Sequence, residues 1–130
     1  LIIDTREQIL SKLSEELDKC FSVIPEQQLR SAPPNSAYVI VTHDHSLDFL
    51  LAQEALERKD AAYIGVVGSK SKRAALKSFL TRRGDKGIDE INIPIGKNYY
   101  NTEDKRPEII AIHTVVEIIN RFSQSKIDRI

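Results

Sequence analysis

Two uninterrupted runs of β-favouring residues, Ala37-Tyr38-Val39-Ile40-Val41-Thr42 and Ala62-Tyr63-Ile64-Gly65-Val66-Val67, constrain the fold more than any other feature of this chain. A strand wetted on one face alternates apolar and polar residues; a strand covered on both faces stays apolar throughout. Each run leads into a helical pattern. The first is followed from about Ser46 to Arg58 by Leu47, Leu50, Leu51 and Ala55 on one stripe. The second is punctuated by Gly68-Ser69 and followed by a basic helix to about Arg83, ended by Gly84. Strands that alternate with helices over short connections predict a mostly parallel α/β sheet with right-handed crossovers and helices on both faces.

The flanking segments are less sharply patterned. Leu1 to Asp4 reads as a short buried strand, and Leu10, Leu13 and Leu17 suit a helix near residues 6–18. Cys20 to Ile24 reads as a weaker strand stopped by Pro25, and Pro33-Pro34-Asn35-Ser36 as a loop. An extended piece, Ile91 to Ile95, leads to Gly96. The last helix starts near Pro107, a residue suited to the first helical position. It is apolar on almost every side, from Ile109 to Phe122, and should pack deeply against the sheet or a partner chain.

The 130 residues suit one domain. Because the chain opens on Leu1-Ile2-Ile3 and contains no methionine, it reads as part of a longer protein. The single cysteine, Cys20, is expected in the core and cannot form an internal disulfide, which points to a reducing cytoplasm. No apolar run approaches the roughly 20 residues of a membrane span, so no membrane association is expected. Charge is unevenly spread: residues 1–57 carry 4 basic and 10 acidic groups, whereas residues 58–86 carry 9 basic and 2 acidic. Such a basic block is either a solvated helix face or a surface for an anionic small molecule or acidic partner. Few aromatics interleave with it, which argues against nucleic acid.

In parallel α/β sheets, ligands bind beyond the carboxyl ends of the strands. Three segments fall there: Asp4-Thr5-Arg6, Thr42-His43-Asp44-His45, and Gly68-Ser69-Lys70. His43, Asp44, His45 and Asp48 concentrate two imidazoles and two carboxylates. A metal site is one reading, but three or four ligands are hard to assemble when the only other histidine, His113, lies in an apolar helix. Helix capping accounts for Asp44 and Asp48 but not for the histidines beside them, which favours contact with a bound heterocycle. The turn after Gly65 and Gly68 offers backbone N–H groups, Ser69 as a cap, and Lys72 and Arg73 as cations, a weak anion-cradle signal. Asp4 stands where a dinucleotide fold places its ribose-binding acid, and Arg6 could serve an anion. Tyr99-Tyr100 reads as a loop cluster or a contact patch. No residue is assigned a catalytic role.

Three ordered blocks resemble the xanthine dehydrogenase accessory factor family: Val39 to Asp48, with its Thr-His-Asp-His…Asp pattern; Tyr63 to Arg73, with its Gly…Gly-Ser turn; and Pro94-Ile95-Gly96 with Pro107-Glu108-Ile109. Leu1 to Glu7 resembles that family's second Rossmann strand and the turn after it. The resemblance implies a Rossmann-like domain, typically preceded by a smaller one, that binds molybdenum cofactor (molybdopterin). It also implies a chaperone role rather than turnover, with transfer to a xanthine dehydrogenase-type molybdoenzyme and contact with a cysteine desulfurase. On that reading the cofactor-binding residues are Asp4, Arg6, Thr42, His43, Asp44, His45, Asp48, Gly65, Gly68, Ser69, Lys72, Arg73 and Gly96. The competing classes are an NAD(P)-dependent oxidoreductase using the same crevice and a partner-docking module.

The family's opening strand and Gly-rich turn lie outside this sequence. In a Rossmann sheet the first strand sits between the second and the fourth. Leu1–Asp4 and Tyr38–Thr42 are therefore not expected to pair directly. A strand from elsewhere, including one exchanged in a homodimer, is expected between them.

Overall fold

A computed structural model describes residues 1–97 and 103–128, with side chains to Gln124. Tyr99-Tyr100 lie outside the described residues. In chain order the elements are β1 (Ile2–Asp4), α1 (Glu7–Leu10), β2 (Lys19–Phe21), α2 (Pro25–Arg30), β3 (Ala37–Ile40), α3 (His45–Arg58), β4 (Tyr63–Val66), α4 (Lys70–Arg82) and α5 (Pro107–Asp128). A 3-10 turn at Gly87–Glu90 follows α4.

The strands form two parallel pairs. β1 pairs with β2 in the register Ile2↔Lys19, and β3 pairs with β4 in the register Ala37↔Tyr63. The extended piece after α4 touches the outer edge of β4 through a parallel bridge between Gly65 and Asn92. The Asn92 side chain also donates to the Ile64 carbonyl at 3.0 Å. Among the described residues no ladder joins β1 to β3. The two facing edges bound a groove of about 820 Å³, with Ile2, Ile3, Val39 and Val41 in its walls. The strand sequence β2, β1, groove, β3, β4, Asn92 is that of a dinucleotide fold with its central place left between β1 and β3.

The core is built around β3 and β4. Ile64 and Val66 point into a cluster with Leu51, Ala52, Ala55 and Leu56 of α3 and with Leu76 and Leu80 of α4. Tyr63 points to the opposite face and donates to Glu117 of α5, so helices cover β4 on both sides. The sequence fits these helices at their ends. Asp44 caps α3 by accepting the Ser46 N–H at 2.8 Å, and Ser69 caps α4 by accepting the Lys72 N–H at 3.2 Å. Gly84, at φ +74°, turns the chain out of α4 as expected of a helix stop.

Several local expectations need correction. The first strand is not buried, since Leu1 and Ile2 are exposed, and β3 is covered on one face only, with Val39 and Val41 exposed on the other. The helix near residues 6–18 is a single turn, Glu7–Leu10: Ser14 Oγ takes the Glu16 N–H, and a series of tight turns replaces the next helical bonds. The strand near Cys20 ends at Phe21, because Ser22 Oγ takes the Ile24 N–H. Pro25 does not merely stop that strand but opens α2 as its first residue. Cys20 is half-buried at a strand edge rather than in the core. The last helix starts at Pro107 as expected, but among its described residues one face is exposed rather than deeply packed. Ile112, Val115, Ile119 and Phe122 form a stripe with exposures of 58%, 54%, 57% and 38%.

Candidate ligand-binding site at the carboxyl edge of the sheet

The exits of β3 and β4 are tied together by one buried ion pair. Asp48, on the first turn of α3, accepts the Thr42 N–H on Oδ1 at 2.9 Å and the Lys72 ammonium on Oδ2 at 2.8 Å. Lys72, on the first turn of α4, also donates to the Val67 carbonyl at 2.6 Å. Both side chains are inside, at 2% exposed for Asp48 and 9% for Lys72. Every strong partner of the two charges thus lies on a strand exit or on the other charge. Thr42 Oγ1 completes the local network by donating to the Asp44 carbonyl and accepting the Asp44 N–H. The result is a stiff floor, above which His45, Gly68 and Ser69 line a shallow cleft.

A second opening adjoins it. Asp4 and Arg6, at the exit of β1, face Thr42 and His43 across the mouth of the large groove. The Arg6 guanidinium grips Asp4 with two parallel bonds, Nε to Oδ1 at 3.0 Å and Nη2 to Oδ2 at 3.1 Å. These bonds hold the Asp4 carboxyl below its usual range against the opposing effect of burial, and the charge of nearby His43 adds to the lowering. Thr42 lies on both openings, so the two form one edge.

The structure therefore brings Asp4, Arg6, Thr42, His43, His45, Asp48, Gly68, Ser69 and Lys72 to one end of the sheet, with the capping Asp44 beside them. Three of the singled-out residues lie elsewhere. Arg73 turns away, donating to the Ile91 and Ile93 carbonyls and pairing with Asp89. Gly65 is buried within β4, where an added Cβ would stand 2.6 Å from Ile95 Cδ1. Gly96, at φ +80°, packs against His113 and Thr114 and donates to Glu117 Oε1 at 2.9 Å. Gly68 is small for a local reason, since an added Cβ would meet the Lys72 side chain at 2.7 Å. Among the described residues no group of three or more His, Cys, Asp or Glu side chains is placed to hold a metal ion. The pairing of Asp48 with Lys72 was not anticipated. Its signal was available, since each residue sits one helical turn past a strand exit and the two carry opposite charge.

Parallel strands in this order, helices on both faces and a polar cleft at the carboxyl edge define a Rossmann-type α/β domain. The model of the XdhC Rossmann domain matches residues 1–118, and the chain belongs to that family. Among solved structures, it is similar to a Bacillus halodurans protein described as a xanthine dehydrogenase, with 28% identity and a TM-score of 0.64. That likeness covers 84% of this chain and 30% of the other, so the chain corresponds to less than a third of that protein. No curated protein matches the sequence. Among the described residues no helix is long and apolar enough to cross a membrane.

Proposed function

We propose that this domain binds molybdenum cofactor as an accessory chaperone and hands it to a xanthine dehydrogenase-type molybdoenzyme. Membership of the XdhC family supports the link to that enzyme class. The observation that carries the ligand reading is the convergence of the Thr42–Asp48 and Gly68–Lys72 segments on one rigid carboxyl edge. A tricyclic pterin with a phosphate tail needs flat polar contacts and anion-directed donors. His43, His45, Thr42, Ser69 and Arg6 supply donors and acceptors of those kinds, and the adjoining groove is within the range of small-molecule sites. The cofactor would bring the metal and its redox chemistry. The chain's own residues would bind it, orient it and shield it.

Lys72 and Arg73 take a different part from the one their charge suggested. Both are engaged by partners within the domain, Lys72 in its interior and Arg73 nearer the surface, and Lys72→Ala would leave the Asp48 charge unpaired. Loss of ligand in that variant would therefore report the fold. The histidines are exposed and are the better probes. The test is the mass and absorption spectrum of whatever co-purifies with the intact cellular protein from cells that make the cofactor. A bound pterin is expected, and occupancy should fall about tenfold or more in a His43→Ala/His45→Ala variant with an unchanged melting temperature. Absence of pterin, or full occupancy in the variant, overturns the reading. Nicotinamide turnover without pterin would indicate an NAD(P)-dependent oxidoreductase. Capture of the enzyme without any small molecule would indicate a docking module. A cytoplasmic location, a homodimer and contact with a cysteine desulfurase belong to the same proposal and are checked by fractionation, light scattering and pull-down.

A further inference from the structure

Arg6 is presented at the groove mouth in a way that selects one class of ligand. Asp4 Oδ1 already accepts two bonds, from the Arg6 main-chain N–H at 2.8 Å and from Nε at 3.0 Å. Oδ2 accepts a third from Nη2 at 3.1 Å. A carboxylate oxygen has about two lone-pair sites, so Oδ1 is full and Oδ2 keeps one. Bidentate recognition of a ribose cis-diol uses an open acceptor on each oxygen, and Asp4 keeps one on Oδ2 only. The guanidinium is in the opposite condition. It commits two of its five N–H donors to Asp4 and keeps both Nη1 hydrogens and one on Nη2. Gripped by a parallel fork, it is oriented before any ligand arrives, and its side chain remains 38% exposed. Thr5, Thr42 and His43 line the same mouth.

We infer that Asp4 and Arg6 form a receptor for a phosphate-type anion, with Asp4 as the positioning residue and Arg6 as the binding one, and that this mouth rejects a neutral ribose diol. The inference rests on the carboxyl edge being the ligand site, and it specifies which chemical group of the ligand is held at β1. Because the pair is neutral overall, binding depends on directed donors more than on net charge.

The test follows the Arg6 Nε–H signal and the amides of Thr5 and His43 by NMR during titration of the intact protein. The probes are inorganic phosphate, a chloride control at equal ionic strength, and adenosine as a neutral cis-diol. Phosphate is expected to give saturable shifts at these positions, with chloride and adenosine giving none. Affinity for phosphate should fall about tenfold or more in Arg6→Gln and be partly retained in Arg6→Lys. Saturable shifts with adenosine, identical responses to phosphate and chloride, no response to any probe, or unchanged phosphate affinity in Arg6→Gln would each overturn the assignment. An Arg6-dependent phosphate response in a protein that carries no pterin would leave this receptor standing while removing the molybdenum-cofactor reading. Bound pterin without such a response would do the reverse.

Discussion

The two parallel pairs share a strand direction but not a way of being held together. β3 and β4 run for four residues each, sit on helices of 14 and 13 residues, and send Ile40, Ile64 and Val66 into a closed core. β1 and β2 run for three residues each, with a single-turn helix between them, and leave Phe21 52% exposed. Apolar composition does not separate the pairs, since Leu1-Ile2-Ile3 is as apolar as Tyr38-Val39-Ile40. What differs is helix length and the number of faces covered. A strand is stabilised by what lies above and below it more than by its own sequence.

That contrast can be broken most severely at the ion pair. Asp48→Ala leaves the Lys72 ammonium buried without its counter-charge and is expected to cost about 3–5 kcal/mol in chemical denaturation. Asp48→Leu combined with Lys72→Met should recover most of that loss, because removing both charges leaves neither unpaired. If the double variant is no more stable than Asp48→Ala alone, the pair is held by something other than mutual charge. Next in size, Leu80→Ala in the closed core should cost about 2–5 kcal/mol, and Leu10→Ala in the single-turn helix should cost less because its surroundings can relax. Equal losses would erase the distinction between the pairs.

A smaller effect is expected at the far side of β4. Burial first, and the bond to Glu117 second, raise the Tyr63 hydroxyl above its ordinary 10.0. A group whose folded value is raised contributes stability that is complete below its unfolded value and lost as pH rises through the folded one. Tyr63 should thus sharpen alkaline unfolding above about pH 10, and Tyr63→Phe should remove that step at a cost of about 1–3 kcal/mol at neutral pH. Smallest of all is Asp4, whose carboxyl is held below its ordinary 3.8 mainly by Arg6. Its contribution is present at neutral pH and lost as acid protonates the folded form. Asp4→Asn should leave the thermal midpoint at pH 7 almost unmoved, because the pair is solvent-screened. A large drop would show that the β1–β2 pair bears more of the stability than its burial indicates.

Much of the fold was legible because periodicity and punctuation agreed. The covered run ending at Val67, the caps Asp44 and Ser69, the stop at Gly84 and the start at Pro107 all stand where their chemistry suggested, whereas the run ending at Thr42 forms its strand with one face open at Val39 and Val41. α2 was missed because Pro25 serves equally to end a strand and to begin a helix, and only the packing of Leu29 into the core separates those meanings. The helix after Arg6 was over-extended because leucine spacing is blind to serines that draw off backbone N–H groups. At the edge, residue types identified which segments converge but not how their charges are spent. Lys72 and Arg73 read alike in the sequence. Three-dimensional placement commits one to Asp48 and the other to the carbonyls of Ile91 and Ile93.

The groove between β1 and β3 also has a consequence for handling the protein. Among the described residues no ladder joins its two strand edges, which lie beside Val39 and Val41, 48% and 59% exposed. Such edges template the addition of further strands, and parallel edges have no hairpin of their own to satisfy them. As a free 130-residue polypeptide at high concentration, this chain is expected to gain β-structure on standing and to scatter light. A lysine at Val39 or Val41 should slow that process, acting as a gatekeeper against precipitation.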